Sequence, residues 1–306
     1  MSTSYKAWFN GAIRNFDDCK VHVQSHALHY GSSVFEGIRC YSTPGGPAFF
    51  RLDDHLQRLY YSAGIYRIPI RYGFDELRAA CFETVRVNGL KSAYVRPIVA
   101  RGNCGLGLLP KDLNAVDIAI LVDSWGAYLG EEGLKNGIRA CITSWQRVAP
   151  NTIPTGAKAG GNYLSGILIG FEAKDRGFDE GIALGHDGLL SEGAGENLFI
   201  VKDGRILTPP ASASILGGIT RDTVFSLAAD LDLQVTEQTL SREQLYGADE
   251  AFFTGTAVEV TPIRQVDHIR IGDGGCGPVT GRIQQAFFGL FDGTTADTRG
   301  WLTALA

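Results

Sequence analysis

Residues 151–164, NTIPTGAKAGGNYL, contain one lysine, Lys158. Its neighbours at 156, 157 and 159–161 are all glycine or alanine, which have almost no side chain. A solvated lysine needs no such clearing, whereas a lysine that bonds covalently to a bulky, flat partner does. A lysine amine becomes a nucleophile when burial or a neighbouring cation lowers its pKa, and it can then form a Schiff base. Because glycine-rich loops are often only loops, this stretch alone leaves a functional lysine and a surface lysine both open.

The composition indicates an ordinary globular protein of about two domains. The 306 residues are 44% hydrophobic and 20% charged, and the net charge of −5 gives no electrostatic case for binding nucleic acid or an anionic membrane. The longest apolar run, residues 116–122, is too short to span a bilayer. Six cysteines without CxxC spacing are typical of reduced thiols in a cytoplasmic protein. His26 and His29 lie one helical turn apart without a further ligand, so we predict no metal site.

The first part of the chain alternates strands with helices, which is the pattern of an α+β fold. The Asn10-Gly11 pair predicts a hairpin turn, and residues 33–41 (SVFEGIRCY) predict one strand. Asp53 is expected to cap the amphipathic helix DDHLQRLYYSA. We therefore predict a small α/β amino-terminal domain over residues 1–123.

The glycine-rich residues 124–137 show little periodicity and predict an interdomain connecting loop. Beyond them strands dominate, and the order of elements does not follow the βαβ repeat of a Rossmann fold. Residues 138–306 are therefore predicted to form a larger, β-rich domain.

Two stretches with glycine beside a hydroxyl predict a site for an anionic ligand. In residues 214–222 (SILGGITRD), two glycines lead into Thr220 as the first capping residue of a helix, whose amides and positive end attract anions. In residues 252–259 (FFTGTAVE), Gly255 permits close approach of a ligand to the backbone. Each signal is weak alone, because an ordinary capped helix and an ordinary turn show the same pattern.

Charged side chains in two further stretches need partners if they are buried. SEGAGEN, residues 191–197, places Glu192 and Glu196 just after a strand, either solvated or held by a cation such as a protonated ring nitrogen. SAYVRP places Tyr94 and Arg96 two residues apart on a strand, and therefore on the same face. Arginine on a buried strand face is uncommon unless it meets a carboxylate or a phosphate.

Together these stretches resemble, closely and in order, the fold-type IV aminotransferases that use pyridoxal 5′-phosphate (PLP), and among them the bacterial branched-chain amino acid aminotransferases. The matching blocks cover most of the chain from residue 29 to 292. They are HYGSSVFEGIR, RLDDHLQRLYYSA, YVRPIV, NTIPTGAKAGGNYL, EGIALGHDGLLSEGAGENLF, LGGITRD, ADEAFFTGTAVEVTPI and CGPVTGRIQQAFFGLF. The resemblance implies an α+β, two-domain fold with a small α/β amino-terminal domain and a larger, β-rich, barrel-like carboxy-terminal domain.

The resemblance also implies roles for residues around the cofactor. Lys158 would form the Schiff base with PLP and move the proton at the substrate Cα. Glu192 would pair with the pyridine nitrogen, Tyr163 would lie near the ring oxygen, and Leu216 would pack on the ring face. The residues implied to hold the phosphate or to allow close approach are Arg58, Gly218, Ile219, Thr220, Gly255 and Thr256.

The implied reaction is a ping-pong transfer of an amino group between L-leucine, L-isoleucine or L-valine and 2-oxoglutarate, which gives the 2-oxo acids and glutamate. The α-carboxylate would meet Tyr94 and the backbone after Thr256, at Ala257. Arg96 would bind the distal carboxylate that only glutamate and 2-oxoglutarate carry. The aromatic walls of the pocket would come from Tyr30, Phe35 and Tyr128.

Relatives of the same fold leave alternatives open. A D-amino acid aminotransferase or an aminodeoxychorismate lyase shares the lysine and the phosphate residues, although YVRP and residues 101–108 look like the branched-chain group. An R-selective amine transaminase and a catalytically silent PLP- or phosphate-binding protein are further alternatives, and the joint presence of Lys158, Glu192 and Arg58 argues against the silent one. The resemblance also implies a homodimer or a homohexamer, and it does not rank leucine, isoleucine and valine.

Overall fold

The structure is a computed structural model that describes residues 5–124, 126 and 128–305, in which the chain forms strands β1–β17 and helices α1–α8. The strands are β1 (Lys6–Phe9), β2 (Ala12–Asn15), β3 (Ser33–Phe35), β4 (Ile38–Thr43), β5 (Gly46–Phe50), β6 (Ala93–Arg101), β7 (Val116–Asp123), β8 (Ile138–Gln146), β9 (Glu180–Leu184), β10 (Leu190–Gly193), β11 (Asn197–Lys202), β12 (Arg205–Thr208), β13 (Val235–Glu237), β14 (Glu250–Gly255), β15 (Glu259–Val266), β16 (Ile269–Arg270) and β17 (Leu302–Ala304). The helices are α1 (His26–Tyr30), α2 (Leu52–Ile65), α3 (Phe74–Val87), α4 (Gly130–Asn136), α5 (Tyr163–Asp175), α6 (Ile219–Asp230), α7 (Arg242–Tyr246) and α8 (Pro278–Asp292).

The chain divides into two compact units, each assembled from separate segments. The first unit contains the described residues up to 124 together with 157–161 and 297–305, and the second contains 126, 128–156 and 162–296. Lys158 and its neighbours at 157–161 thus belong to the first unit. The division into a domain of residues 1–123 and one of residues 138–306, as segments that fold separately, stays a prediction.

The first unit is built on a sheet covered by helices. Its strands follow the order β17–β5–β4–β6–β7–β1–β2, with β3 beside β6. The predicted hairpin between β1 and β2 is confirmed, since Asn10 and Gly11 both have positive φ values, as a type I′ turn requires. The apolar faces of α2 and α3 bury Leu56, Leu59 and Leu77 in the core of this unit.

The second unit is built on a sheet that closes on itself. Its strands follow the order β10–β9–β8–β15–β14–β11–β12–β13, and β10 also pairs with β11, so six of the strands form a closed ring. Closure satisfies the edges that an open sheet would leave unpaired. The prediction of a β-rich, barrel-like part and of an α+β fold overall is confirmed.

The predicted strand over residues 33–41 is wrong, because the chain breaks at Glu36-Gly37 into β3 and β4. Both pieces pair with β6, Phe35 opposite Ile98 and Ile38 opposite Val95. A Cβ at Gly37 would overlap the hydroxyl of Tyr94, so this position admits only glycine without rearrangement. The break also turns Glu36 fully into the interior.

Two predicted helix caps are also wrong. The cap of α2 is Arg51, with φ of 53°, and Asp53 lies in the first turn instead, where its carboxylate pairs with Arg78 at 2.7 Å. The cap of α6 is Gly218, so Thr220 is the second helical residue. Both helices therefore begin before the residue whose hydroxyl or carboxylate was expected to cap them.

Helices α4 and α5 are two of the helices that were absent from the sequence prediction. Residues 124–137 are not only a loop, because α4 occupies 130–136; Trp125 and Ala127 of that stretch lie outside the described residues. Helix α5 follows the Lys158 stretch directly, and its apolar residues face both sides, with Ile169 buried and Phe171 61% exposed. An apolar helix without a polar face has no 3.6-residue period to detect.

Candidate active site

The backbone on both sides of Lys158 is anchored to the first unit. The N–H of Lys158 donates to Oγ of Ser62 at 2.9 Å, and its carbonyl accepts from the N–H of Phe35 at 3.1 Å. The side chain places Nζ 4.9 Å from the centre of the Phe35 ring. At Gly160 a Cβ would lie 2.5 Å from Oγ of Ser33, so the small residues after the lysine let this segment approach β3.

Arg58, the predicted phosphate ligand, lies on α2 and pairs with the buried carboxylate of Glu36. Nε of Arg58 donates to Oε1 at 2.6 Å, and Nη2 donates to Oε2 at 2.8 Å. Nδ1 of His55 lies 2.7 Å from the same Oε2. His55, Arg58 and Ser62 are spaced by three and four residues, so one face of α2 carries a polar stripe among its leucines.

The ionisation states of this cluster follow from burial and charge. Burial alone would raise the pKa of Glu36, but the charge of Arg58 and the hydrogen bonds from Arg58 and His55 hold that pKa well below its usual range. Burial lowers the pKa of His55, and the charges of Arg58 and Lys158 lower it further, against the opposing effect of Glu36. Glu36 is therefore an anion beside a neutral His55, whose Nδ1 carries the proton.

Arg96 and Tyr94 share a face of β6, as their spacing predicts. Nη2 of Arg96 donates to the Tyr94 hydroxyl at 2.8 Å, and the guanidinium carbon lies 4.7 Å from the ring centre of Phe35 and 5.1 Å from that of Tyr94. Nε of Arg96 is buried and finds no hydrogen-bond partner within the described part of the chain. Tyr30 is 44% exposed, and its hydroxyl donates to the carbonyl of Leu106 at 2.7 Å.

In the second unit, the carboxylate of Glu192 is buried and surrounded by donors. Nη2 of Arg147 lies 2.8 Å from Oε1, with both side chains less than a tenth exposed. Oε2 accepts from Nδ2 of Asn197 at 3.1 Å and from the N–H of Leu216 at 3.0 Å. All three donors stabilise the ionised carboxylate. Glu196 instead accepts the N–H of Gly195 at 2.9 Å within the turn.

Sheet register places the two glycine-and-hydroxyl motifs beside Glu192. Asn197 pairs with Glu192 across β10 and β11 and with Thr254 across β11 and β14. Nδ2 of Asn197 also donates to the carbonyl of Leu216 at 2.9 Å, and a Cβ at Gly218 would overlap the Asn197 amide oxygen. Ile219 and Thr220 are the first two residues of α6, at the positive end of the helix dipole.

Gly255, at the end of β14 and just before Thr256 and Ala257, lies close to the turn of residues 193–196. A Cβ at Gly255 would lie 3.8 Å from the carbonyl of Gly195, and a Cβ at Gly195 would lie 3.8 Å from the ring of Tyr163. The hydroxyl of Thr254 is buried without a hydrogen-bond partner among the residues described. Predicted residues of the second unit therefore cluster at one end of its barrel.

Three predictions concern residues outside this cluster. Tyr128 is 53% exposed just before α4, and its place in a substrate pocket stays a prediction. Nδ1 of His26 contacts Ser32 at 2.6 Å, and Nε2 of His29 contacts the carbonyl of Val23 at 3.1 Å, so both histidines have ordinary partners. In the described part of the chain, no group of three or more His, Cys, Asp or Glu side chains is arranged to hold a metal ion.

No described helix has the length and apolarity to cross a membrane.

Sequence reasoning missed the side chains that pair with Arg58 and with Glu192. Glu36 and His55 were detectable in part, since a histidine, an arginine and a serine on the buried face of an amphipathic helix require a polar partner. Asn197 directly follows Glu196 in the quoted SEGAGEN motif. Arg147 had no local signal, because only the fold brings it to Glu192.

Known protein families and solved structures resemble the chain over most of its length. The model of the family amino-transferase class IV matches residues 33–266. The branched-chain-amino-acid aminotransferase of Escherichia coli (strain K12) is 58% identical over 295 residues, 96% of each chain. A crystal structure of the Escherichia coli branched-chain amino acid aminotransferase has a TM-score of 0.98 and 56% identity, covering 99% of this chain and 100% of that one. The T.th. branched-chain amino acid aminotransferase complexed with N-(5′-phosphopyridoxyl)-L-glutamate has a TM-score of 0.94 and 42% identity over 100% of both chains. The chain therefore belongs to the class IV aminotransferases, within their branched-chain amino acid group.

Proposed function

We propose that this branched-chain amino acid aminotransferase uses PLP, carried as a Schiff base on Lys158, to transfer amino groups between L-leucine, L-isoleucine or L-valine and 2-oxoglutarate. The T.th. relative complexed with a phosphopyridoxyl derivative of glutamate supports both the cofactor and the acidic substrate. The same activity yields glutamate and the branched-chain 2-oxo acids.

One observation carries the proposal. The ring of Phe35 has Nζ of Lys158 4.9 Å from its centre and the guanidinium carbon of Arg96 4.7 Å from its centre. A substrate bound beside Lys158 would therefore have a half-buried cation, Arg96, on the same aromatic ring. An apolar side chain can pack on Phe35, and a distal carboxylate can pair with Arg96, so one pocket suits both substrate classes.

The residues present fit PLP. Arg58 and the N-terminal amides of Ile219 and Thr220 are donors suited to a phosphate, with the Thr256 hydroxyl as a further proposed ligand. The carboxylate of Glu192, whose two oxygens have three donors around them, suits a protonated ring nitrogen.

PLP, when bound, supplies the electron sink that makes the substrate Cα–H bond acidic. Lys158 would act as the base that takes the proton from the substrate Cα and later donates it, and its anchored backbone limits where the amine can reach. Glu192 would hold the proton on the ring nitrogen, Tyr163 would hydrogen-bond the ring oxygen, and Leu216 would pack on the ring face. Tyr94 and the amide of Ala257 bind the α-carboxylate, with Tyr30 and Tyr128 as apolar walls and Gly218 and Gly255 allowing close approach.

The test combines trapping with a substrate panel. Borohydride reduction of the purified protein should fix the cofactor to Lys158, as peptide mapping will show, and Lys158→Ala should bind PLP without turnover. A panel of amino donors should show the branched-chain L-amino acids and glutamate as the preferred substrates. A preference for D-amino acids or for R-amines would assign a different member of the fold, and cofactor bound without any amino-group exchange would refute the enzymatic proposal.

We also propose a cytoplasmic location and a homodimeric or homohexameric assembly. All six cysteines are free thiols, which supports a reducing compartment. Sedimentation of the purified holoenzyme tests the assembly, and a monomer at micromolar concentration would contradict it.

A further inference from the structure

A fully buried carboxylate, Glu36, lies at the junction of β3 and β4 and is saturated by donors. Its two oxygens accept from Nε and Nη2 of Arg58 at 2.6 and 2.8 Å and from Nδ1 of His55 at 2.7 Å. The N–H of Gly37 donates to Oε2 at 3.3 Å as well. Four donors from a helix and from the strand junction therefore fix the carboxylate in one position.

The pair with Arg58 fixes more than a distance. Two adjacent nitrogens along one edge of the guanidinium bind the two oxygens, which sets both the plane of the group and its rotation about the side chain. His55, one turn earlier on α2, holds Oε2 and prevents the carboxylate from following a rotating arginine. Because the side chain of Arg58 is only 13% exposed, water offers it little competing solvation.

The charge of Glu36 works against anion binding. It is ionised, since its pKa lies well below the usual range, and it offsets the positive charge that Arg58 would otherwise offer to a phosphate. An arginine serving only as a source of charge would bind phosphate better without a carboxylate beside it. What the carboxylate adds is orientation.

We propose that Glu36 is a positioning residue that orients the guanidinium of Arg58 for the phosphate of the cofactor and accepts weaker attraction in exchange for fixed geometry. This inference rests on the proposed function, in which Arg58 binds the phosphate of PLP. Its signature is a loss of the phosphate's contribution to binding when the orientation is lost, even if the charge at residue 36 is retained.

The experiment measures the dissociation constants of PLP and of pyridoxal, which lacks the phosphate, for enzyme freed of cofactor and titrated by absorbance. The dissociation constant of pyridoxal divided by that of PLP measures how much the phosphate contributes to binding, and this ratio falls when the phosphate is held less well. Glu36→Asp keeps the charge but is one methylene too short to hold Arg58 and His55 together, and Glu36→Gln keeps the length but cannot accept from all three side-chain nitrogens. Both should reduce the ratio by about tenfold to a hundredfold, the size of one well-placed charge-assisted hydrogen bond.

Asp54→Asn is the matched control, since it removes a carboxylate that pairs with Arg51 at 2.6 Å on the same helix, and the ratio should stay unchanged. A ratio that rises in Glu36→Gln and stays at the wild-type value in Glu36→Asp would overturn the proposal and make Glu36 a charge balancer. Equal weakening of PLP and pyridoxal, or an unchanged ratio, would overturn it too. Equal affinities in the wild type would instead refute the phosphate role of Arg58.

Arg58→Lys provides the test if neither Glu36 variant folds. Lysine keeps the positive charge and one donor to Glu36 but cannot form the two-nitrogen pair. The proposal requires the same loss of the ratio in this variant, and a wild-type ratio would overturn it.

Discussion

Replacing Arg96 by alanine tests how one pocket accepts both apolar and acidic side chains. The guanidinium lies between the rings of Phe35 and Tyr94 and donates to the Tyr94 hydroxyl, so its position is fixed before substrate arrives. Its Nε is a buried donor that has no hydrogen-bond partner within residues 5–124, 126 and 128–305. A distal carboxylate would satisfy that donor, whereas a leucine side chain would not use it.

The expected effect follows from the burial of that donor. Removing one partner of a desolvated ion pair costs about 3–5 kcal/mol, which corresponds to roughly two to four orders of magnitude in rate. Arg96→Ala should therefore lower kcat/KM for glutamate and 2-oxoglutarate by that factor. The leucine half-reaction, followed in single turnover without an acidic acceptor, should fall much less, since only shared packing is lost.

A second arginine of the same strand is the control. Arg101 is buried, but it donates to the carbonyls of Tyr66 and Arg67, a structural role. Arg101→Ala should change the glutamate and leucine half-reactions equally. Equal losses for the two substrates in Arg96→Ala would show that Arg96 binds the α-carboxylate or is structural, and the account of dual specificity would be wrong.

Three further predictions concern the buried carboxylates of Glu192 and Glu180. Glu192→Gln leaves the buried Arg147 without its charged partner and should lower the free energy of unfolding by about 3–5 kcal/mol. Asp53→Asn removes a carboxylate from a pair with Arg78 whose side chains are 33% and 50% exposed, and it should cost only about 0–1 kcal/mol. Urea denaturation measures both losses, and similar values for the two variants would contradict the assigned burial. Glu192→Gln should also retain PLP while losing most of its turnover, and near-normal turnover would remove Glu192 from the mechanism. Burial raises the pKa of Glu180 from 4.5 to about 7, against a hydrogen bond from the N–H of Gly181. Because the folded state holds this proton more tightly, the stabilisation is fully present below pH 4.5 and is lost as pH rises through 7, by up to about 3 kcal/mol. Glu180→Gln should flatten that part of the stability curve, and an unchanged slope between pH 5 and 8 would place the titration elsewhere.

Much of this protein is determined by short stretches of its sequence. The Asn10-Gly11 turn specifies its hairpin because only residues tolerant of positive φ fit a type I′ turn. Alternation placed Tyr94 and Arg96 on one face of β6, because side chains on a strand repeat every two residues. The motifs around Lys158 and Glu192 carried the family resemblance, since their residue types are fixed by the chemistry they perform.

Tertiary structure alone decided the partners of those residues. Glu36 pairs with Arg58, which lies 22 residues further along the chain. Arg147 pairs with Glu192, and only the folded sheet brings these two residues together. The Tyr94 hydroxyl leaves no room for a Cβ at Gly37, where the chain breaks between β3 and β4. Helix α5 is apolar on both sides, so packing rather than periodicity defines it. Turns and alternation depend on neighbours in the chain and can be predicted from it, whereas buried ion pairs and strand breaks depend on residues that only the folded chain brings together.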